Sequence, residues 1–235
     1  MTEQAVAATP RLVAEYIAAH IAADAVQPSR SVVYRVAKRT LDLAIGIPAL
    51  LLSLPVQAVI AVVLRLESPG PAIFRQWRVG QDGRLIRFYK FRTMYIDARE
   101  RFPEAYRYAF SDEEFQRKYY KPVQDARNTR FGAWLRRSTL DELPNLFNVV
   151  KGNVSLVGPR PELVEYVSYY TPRQLTKFTV KSGVTGLAQC AGRNTLSIQQ
   201  QIEHDVEYVR RMSFWFDVRL LGRTFVAVLK REGAE

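Results

Sequence analysis

LAIGIPALLLSLPVQAVIAVVL, residues 43–64, is the stretch of sequence that decides the fold. It runs for 22 residues without a charged side chain, enough for a helix to cross a bilayer core of roughly 30 Å. Two prolines interrupt it, Pro48 near its start and Pro55, just after Ser53, close to its middle. Each proline removes a backbone donor, so a straight helix is expected to kink there. The stretch therefore predicts a membrane segment with a bent path.

Basic residues flank this apolar stretch on both sides, namely Arg35, Lys38, Arg39 and Arg65. Because Lys and Arg favour the cytoplasmic side, this symmetry does not assign the two ends to opposite faces of a membrane. It allows a re-entrant membrane helix-break-helix hairpin, with the break at Ser53 and Pro55. Hydropathy alone favours a single kinked transmembrane helix, and a buried helix of a soluble protein is the third alternative.

The composition is that of a folded protein with an anionic partner. The chain has 235 residues, 48% of them hydrophobic, so it can bury a substantial core. Its 34 basic and 23 acidic residues give a formal charge of +11, which suits a phosphorylated ligand, nucleic acid or lipid headgroups without choosing among them. Cys190 is the one cysteine, which excludes an intrachain disulfide and makes the cytoplasm the default compartment.

The remaining pattern predicts an α-rich α+β fold. Residues 72–74 and 84–91 flank the turn at residues 80–83, as in a short β-hairpin. Helices are predicted at residues 97–128, 140–150, 161–170 and 197–212. Residues 214–231 mix apolar and basic side chains, which is typical either of an amphipathic helix in the membrane interface or of a helix packed on the core.

The N-terminal residues 1–31 predict a short amphipathic helix followed by a polar linker. The apolar residues at helical spacing are Leu12, Val13, Tyr16, Ile17 and Ile21. A basic start, an apolar run and a small-residue cleavage site are all missing from the first thirty residues, so they do not read as a secretory signal.

The sharpest candidate for chemistry is RRSTLDELP, residues 136–144. Ser138 or Thr139 is expected to cap a helix start, which places Asp141 and Glu142 in its first turn. There the helix dipole stabilises the ionised carboxylates, as a nucleophile or metal ligand requires. On its own, such a pair more often compensates the dipole at a solvated surface.

Two further clusters suit phosphate binding, although each is a common structural turn in isolation. In VGPRPE, residues 157–162, two prolines fix the backbone around Arg160, which can then present its guanidinium to a phosphate. GLAQ, residues 186–189, and GRN, residues 192–194, can hold a diphosphate or a ribose. The familiar phosphate-loop and dinucleotide fingerprints are missing.

From Lys38 to the C-terminus the chain resembles the bacterial sugar transferases, also called monotopic phosphoglycosyl transferases or polyprenyl-phosphate hexose-1-phosphate transferases. The matching motifs are Lys38, Arg39 and Asp42; Pro55; YKFRTM at 89–94; STLDELP at 138–144; LFNV at 146–149; KG at 151–152; SLVGPRP at 155–161; GVTG at 183–186; and GRN at 192–194. So many motifs in the same order are highly specific and do not arise by chance.

The resemblance implies a re-entrant hairpin at about residues 38–66, with both ends facing the cytoplasm, against the preference from hydropathy alone. It implies an N-terminal extension and linker at residues 1–31 and a phosphoglycosyl transferase domain at residues 32–235. The catalytic region of that domain is at about 72–235. The implied location is the bacterial inner membrane, with a small helical catalytic domain on its cytoplasmic face.

The implied reaction moves a sugar-1-phosphate from a UDP-sugar to undecaprenyl phosphate and releases UMP. Asp141 matches the nucleophile that forms a phosphosugar-aspartyl intermediate, with Glu142 as the second carboxylate and Mg²⁺ at Asp141. The basic residues that match active-site or substrate positions are Lys90, Arg136, Arg160 and Arg193, and Asn194 completes the last motif. The implied pathway assembles an exopolysaccharide, capsule or O-antigen.

Partners implied by the resemblance are the UDP-sugar, undecaprenyl phosphate and membrane lipids, with a homodimer left open and nucleic acid excluded. The competing hypothesis from another class is a basic, membrane-tethered protein that binds nucleic acid or anionic lipid. A third keeps the fold without activity, as an assembly partner in a polysaccharide pathway. Metal-dependent release of UMP discriminates the enzyme from both alternatives.

Overall fold

The computed structural model describes residues 10–21, 31–118, 125–192 and 195–229, and they are mostly helical. The α-helices are α1 Pro10–His20, α2 Val32–Glu67, α3 Ala98–Arg101, α4 Asp112–Arg117, α5 Arg130–Ser138, α6 Leu146–Lys151, α7 Leu187–Ala191, α8 Ile198–Arg211 and α9 Phe214–Leu229. The strands are β1 Ile73–Val79, β2 Leu85–Phe91, β3 Ser155–Val157 and β4 Gly183–Thr185. Short 3-10 helices span Gln81–Gly83, Pro103–Tyr106, Leu140–Asn145, Val164–Tyr169 and Gln174–Thr179.

The long apolar stretch forms the central part of α2. Among the described residues, α2 is the one helix long and apolar enough to cross a membrane. Pro48 and Pro55 both lie inside it, and the helix continues through them. A proline can bend a helix without ending it, so the change of direction at Ser53 and Pro55 stays a prediction. Next to Pro55, Gln57 Nε2 donates to Ser53 Oγ, which donates to the Leu50 carbonyl, both at 2.9 Å. These polar contacts stay within the helix, as apolar surroundings require.

Most apolar side chains in the middle of α2 are exposed, including Ile47, Leu51, Leu52, Leu54, Val56, Val59 and Val62. Both ends of the helix, by contrast, pack against the rest of the protein. Towards its start, Gly46 lies against Val149 of α6. Towards its end, Ile60 and Leu64 are buried beside Phe91 and Leu135. The same folded body therefore holds α2 on both sides of its exposed apolar section.

The predicted β-hairpin is present and longer than the sequence indicates. β1 pairs antiparallel with β2 from Ile73 opposite Phe91 to Val79 opposite Leu85. The connection needs left-handed backbone at Asp82 (φ 54°) and Gly83 (φ 72°), which Asp and Gly tolerate better than other residues.

A second, parallel pair of strands was not predicted. Ser155 in β3 lies opposite Gly183 in β4, and Val157 lies opposite Thr185. The pair brings the SLVGPRP and GVTG motifs side by side, although 25 residues separate the two strands in the chain. A Cβ atom on Gly183 would come within 2.1 Å of the Gly158 nitrogen, so the close approach requires glycine.

Helix predictions succeed where a long apolar stripe exists. In α8 the stripe residues Ile198, Ile202, Val206 and Val209 are all buried. α9 buries Phe216 and Leu220 and leaves Trp215 and Phe225 exposed, so it packs on the core with one face and presents an apolar face outward with the other. The prediction of a helical region over residues 97–128 was largely wrong. Only α3, α4 and one 3-10 turn form among its described residues, because the segment lacks such a stripe and Pro103 interrupts it.

The N-terminal helix α1 docks onto the domain. Val13 and Ile17 are buried in a cluster with Leu163, Val164 and Phe178. Gly83 accommodates the approach, because a Cβ atom there would come within 2.6 Å of the Ala14 Cα. The predicted linker at residues 27–31 lies outside the described residues except for Ser31, whose hydroxyl accepts from the Tyr34 amide and caps α2.

Replacing Ile17 by Ala is expected to lower the free energy of unfolding by about 2–5 kcal/mol, because it leaves a cavity at a position that is only 4% exposed. Leu12→Ala is the matched control, since Leu12 is 51% exposed on the same helix and its loss should cost less than about 0.5 kcal/mol. Thermal unfolding in detergent compares the two variants. Equal melting temperatures would contradict the docking of α1.

Candidate active site

A cavity of about 990 Å³ lies between the β-hairpin, the end of α2 and the segments around α5. Its wall includes four of the charged residues that were singled out in the sequence. Lys90, Arg136, Asp141 and Arg160 all contribute to its wall. Ala61, Val62 and Arg65 of α2 also line it, so the cavity reaches the apolar helix. Ser53 and Pro55 do not belong to this wall and lie further back along α2.

Asp141 lies in the 3-10 helix Leu140–Asn145, which follows α5 after a reversal of the chain. The reversal depends on Thr139, whose φ of 59° is left-handed. The prediction that Ser138 or Thr139 caps this helix was wrong, because both hydroxyls donate backwards, to the carbonyls of Leu135 and Ser138. The side chain of Asp141 is placed instead by burial, with 3% of the residue exposed. A short 3-10 turn offers little dipole, so nearby cations must stabilise its charge.

Lys90 and Glu142 form an ion pair beside Asp141. Lys90 Nζ donates to Glu142 Oε1 at 2.7 Å, and both side chains are mostly buried. Lys90 is held on β2, whose neighbour Tyr89 donates its amide to Asn145 Oδ1 at 2.9 Å. The Asn145 bond locks the strand to the 3-10 helix, so the lysine and the two adjacent carboxylates keep a fixed spacing.

Arg136 belongs to a cluster of opposite charges on the same cavity wall. Its Nη1 lies 3.2 Å from Asn128 Oδ1 and 3.7 Å from Asp125 Oδ2. Burial lowers the pKa of Arg136, while the negative charges of Asp125 and Asp141 oppose that shift. An arginine stays protonated in any case, so Arg136 presents a permanent positive charge next to Asp141.

Arg127 also lines that cavity, and both Arg127 and its partner Asp125 were missed in the sequence. Arg127 binds both carboxylate oxygens of Asp125 at 2.8 and 2.7 Å. Burial of Asp125 is outweighed by these bonds, so the pKa of its carboxyl lies below the usual range. No periodic signal marks the two residues, because they lie in an irregular segment. Their role is visible only once Asp125 faces both arginines.

Arg160 is carried by the loop after β3, and that loop rests on buried charges. The Arg160 amide donates to both oxygens of Asp205 in α8, at 3.3 and 3.2 Å. Lys177 Nζ lies 2.8 Å from Asp205 Oδ2 and 3.4 Å from Glu162 Oε2. All three charged side chains are almost fully buried, so this cluster of Glu162, Lys177 and Asp205 fixes the loop that presents Arg160.

One signal for that cluster was present in the sequence, because Asp205 interrupts the apolar stripe of α8 one residue before Val206. An aspartate on a buried helix face must have partners there. Lys177 gives no comparable signal. Burial raises the pKa of Asp205, and the charge of Lys177 opposes the rise.

The last predicted site residues, Arg193 and Asn194, lie outside the described residues, so their placement stays a prediction. The preceding GLAQ segment is described. Gly186 lies so close to the Gly158 carbonyl that a Cβ atom would come within 2.2 Å of it. The amide nitrogen and oxygen of Gln189 are buried and make no hydrogen bond within the described chain.

The acidic residues at the cavity suit a divalent cation only in combination with a phosphorylated ligand. Among the described residues no group of three His, Cys, Asp or Glu side chains converges. Mg²⁺ commonly takes one or two protein carboxylates and completes its coordination with phosphate oxygens and water. Asp141 in a cavity wall with adjacent arginines fits that pattern, whereas a protein-only metal cage does not.

Comparison with known proteins agrees with this geometry. A family model described as bacterial sugar transferase matches residues 33–231. The UDP-glucose:undecaprenyl-phosphate glucose-1-phosphate transferase of Escherichia coli K12 is 38% identical over 208 residues, which cover 84% of this chain and 40% of that protein. The UDP-galactose-lipid carrier transferase of Erwinia amylovora is 38% identical over 205 residues, covering 85% and 42%.

A shorter relative matches along nearly its whole length. The uncharacterized sugar transferase EpsL of Bacillus subtilis 168 is 37% identical over 198 residues, which cover 84% of this chain and 90% of that protein. The chain spans less than half the length of most of the curated relatives it matches.

Replacing Lys177 by Met is expected to destabilise the protein by about 3–5 kcal/mol at neutral pH, because Asp205 and Glu162 lose their shared buried cation. Lys151→Met, the same change at an exposed lysine of α6, serves as the control and should have little effect. Chemical unfolding of both variants in detergent measures the difference. A Lys177 variant as stable as the control would contradict the role of the cluster.

The loss of stability in Lys177→Met should also depend on pH, and the protonation of Asp205 decides whether it grows or shrinks in acid. Without Lys177 its folded-state pKa rises further above the usual value near 3.8. When a carboxyl has a higher pKa in the folded state than in the unfolded state, the protein loses stability as the pH rises from the unfolded-state pKa to the folded-state pKa. The stability gap between Lys177→Met and the unchanged protein should therefore narrow as the pH falls from 8 towards 5. A gap that widens in acid would be the opposite result.

Proposed function

This chain belongs to the bacterial sugar transferase family, and we propose that it transfers a sugar-1-phosphate from a UDP-sugar to undecaprenyl phosphate at the membrane. The observation that carries the proposal is the convergence of Asp141, Arg136 and Arg160 on one cavity that also borders the apolar helix α2. Such a cavity offers a nucleophile and fixed positive charges next to a lipid-accessible surface.

In the first half-reaction, a carboxylate oxygen of Asp141 attacks the β-phosphorus of the UDP-sugar. The bond between that phosphorus and the oxygen bridging the two phosphates breaks, and UMP leaves with the bridging oxygen. The sugar remains attached to the transferred phosphoryl group, which is now bound to Asp141. Burial of Asp141 supports this role, because a desolvated, oriented carboxylate is a better nucleophile than a hydrated one.

In the second half-reaction, a phosphate oxygen of undecaprenyl phosphate attacks the same phosphorus. The bond to Asp141 breaks, the carboxylate is restored, and the product is a sugar linked through a diphosphate to the lipid. Two successive displacements at one phosphorus require charge stabilisation on its equatorial oxygens. Arg136 and Arg160 supply fixed positive charge for this purpose, and the buried cluster under Arg160 keeps its loop from drifting.

Lys90 and Glu142 support the reaction as a pair. The ammonium of Lys90 lies between the cavity and Glu142, at 2.7 Å from the carboxylate. We assign Lys90 to the charge of the phosphate groups and Glu142 to acid-base or metal-linked support of Asp141. Mg²⁺ held at Asp141 neutralises phosphate charge when it is bound, so that an anion can approach an anion.

The membrane arrangement that we propose is re-entrant. The buried contacts of α2 at Gly46 and Ile60 leave only residues 47–59 clear of the folded body. At 1.5 Å per residue this section is about 20 Å long, which is shorter than a hydrocarbon core of roughly 30 Å. Because the same folded body contacts α2 on both sides of this section, the packing supports a helix that bends at Pro48 and Pro55, enters one leaflet of the inner membrane and returns. The catalytic domain then lies on the cytoplasmic face.

The first test measures UMP release by purified protein in lipid particles with undecaprenyl phosphate, Mg²⁺ and a panel of UDP-sugars. Asp141→Asn is expected to lower the rate at least about a thousandfold, since it removes the nucleophile. Asp97→Asn is the matched control, because Asp97 is a partly exposed carboxylate paired with Arg101, and its change should leave the rate within about twofold.

A radioactive sugar should also label the protein transiently, and the label should disappear with Asp141→Asn. Dependence on added Mg²⁺ tests the metal in the same assay. Failure of well-folded protein to release UMP from any donor would favour a non-catalytic partner in polysaccharide assembly.

The re-entrant path is tested with single cysteines at the two ends of α2, in a Cys190→Ser background. Val33 and Leu66 are both highly exposed, so cysteines at these positions should react readily. In intact cells whose outer membrane has been made permeable, a membrane-impermeant maleimide should leave Val33→Cys and Leu66→Cys unmodified. Opening the inner membrane should allow both to react. The Cys190→Ser parent measures background labelling. Labelling of just one of the two positions from outside would establish a full span and refute the re-entrant path.

A further inference from the structure

A second cavity, of about 560 Å³, lies at the beginning of α2, away from Asp141. Its basic lining residues are Arg35, Lys38, Arg39 and Lys181, against Asp42 and Asp82. A cavity of this size is large enough for a small polar ligand. None of these residues lines the catalytic cavity, so the two sites are separate.

Two of the four cations are already engaged in holding the fold together. Lys38 Nζ donates to the Val157 carbonyl, the Tyr208 hydroxyl and Asp217, at 2.9, 3.2 and 2.6 Å. Arg39 donates to the carbonyls of Val149 and Val150 at the end of α6, both at 2.7 Å. The carboxylate of Asp42 is engaged as well, because it accepts from the Ser155 hydroxyl and the Leu156 amide.

Arg35 and Lys181 are the two cations left over, and Lys181 is the partly buried one of the two, since Arg35 is exposed. The Lys181 side chain is only partly exposed, and within the described part of the chain it makes no hydrogen bond or ion pair. Burial lowers the pKa of Lys181, the nearby charge of Arg39 lowers it further, Asp42 opposes the shift, and Lys38 adds to it. A partly buried ammonium among other cations is a cost to the folded protein unless an anion shares the cavity.

The position of the cavity along α2 relates it to the membrane. Lys38 and Arg39 precede the first residue of the apolar run by four to five positions, or about 6–8 Å along a helix. The headgroup layer extends about 5–8 Å beyond each side of the hydrocarbon core. The cavity therefore lies at headgroup depth when the apolar run occupies the hydrocarbon. α9 reinforces this position, because Asp217 ties it to Lys38 while its exposed Trp215 suits the interface.

We propose that this second cavity binds a phosphate group, with Lys181 as its principal cation and Arg35 at its mouth. The ligand chemistry is a phosphate ester, carried either by an anionic phospholipid headgroup or by a water-soluble molecule. The site is distinct from catalysis, and no step of the sugar-phosphate transfer depends on it.

The experiment uses the full chain in an uncharged detergent without any sugar nucleotide, so its outcome does not depend on catalytic activity. Dioctanoyl phosphatidylglycerol is titrated, and native mass spectrometry counts the lipid bound per chain. Lys181→Gln is expected to weaken the single-lipid affinity about fivefold, as the loss of one cation near a headgroup predicts. Lys181→Arg, which keeps the charge, should stay within about twofold.

The matched control is Arg223→Gln, which removes one charge from the exposed side of α9, away from the cavity. It should change the affinity less than about twofold. If Arg223→Gln and Lys181→Gln lower the lipid affinity equally, the binding depends only on the net charge of the protein and the proposal is overturned. An unchanged affinity in Lys181→Gln would also overturn it. The thermal melting temperature of each variant checks that it is folded.

Competition separates the two sources of phosphate. Inorganic phosphate and glycerol 3-phosphate are added in turn to the protein with bound dioctanoyl phosphatidylglycerol. If millimolar glycerol 3-phosphate displaces the lipid from the unchanged protein and does not do so in Lys181→Gln, the result supports the site and assigns it to a water-soluble phosphate ester. Lipid binding that depends on Lys181 and resists both competitors supports it as a phospholipid headgroup site.

Discussion

One ammonium group, that of Lys38, joins four parts of this fold. It lies on α2 and binds the end of β3, the Tyr208 hydroxyl on α8 and Asp217 on α9. Tyr34 and Tyr208 also donate to Asp217, so the carboxylate is enclosed by three donors. A charge pair with so little water is costly unless every polar atom is satisfied, and here the donors and acceptors match. The membrane helix and the catalytic body are thereby fixed relative to each other, which the cavity shared between them requires.

Paired buried charges also occur beneath the active site, whereas the active site itself collects mainly positive charges. Around Asp141 the protein gathers cations, which the proposed reaction uses to receive a diphosphate. Beneath Arg160 it gathers two carboxylates and one lysine, all buried, which hold a loop and lie outside the cavity wall. The net +11 of the chain is therefore not spread evenly. Several acidic residues are buried inside the fold, and basic residues line the two cavities.

The sequence was most informative where one simple pattern fixes an element. The uncharged run in α2, the stripe of α8 and the residues around the hairpin turn predicted those elements well. Asp141, Lys90, Arg136 and Arg160 were named through motifs, and their convergence on one cavity could not be read from their spacing. β3 and β4 were missed because three-residue strands carry no period. Thr139 was misjudged because a hydroxyl residue predicts a cap equally well whether its backbone is extended or left-handed.

The pairing of Lys38 with Asp217 also bears on how the protein is made. The two residues are separated by 179 positions, so at 5–20 residues per second roughly 9–36 s pass between their synthesis. During that interval the apolar helix has already left the ribosome while its charged anchor on α9 does not yet exist. Lys38 therefore lacks its partner Asp217 while the residues between them are made, and a charged group without its partner favours contact with water. Docking of α9 against the start of α2 is thus late relative to the synthesis of α2 itself.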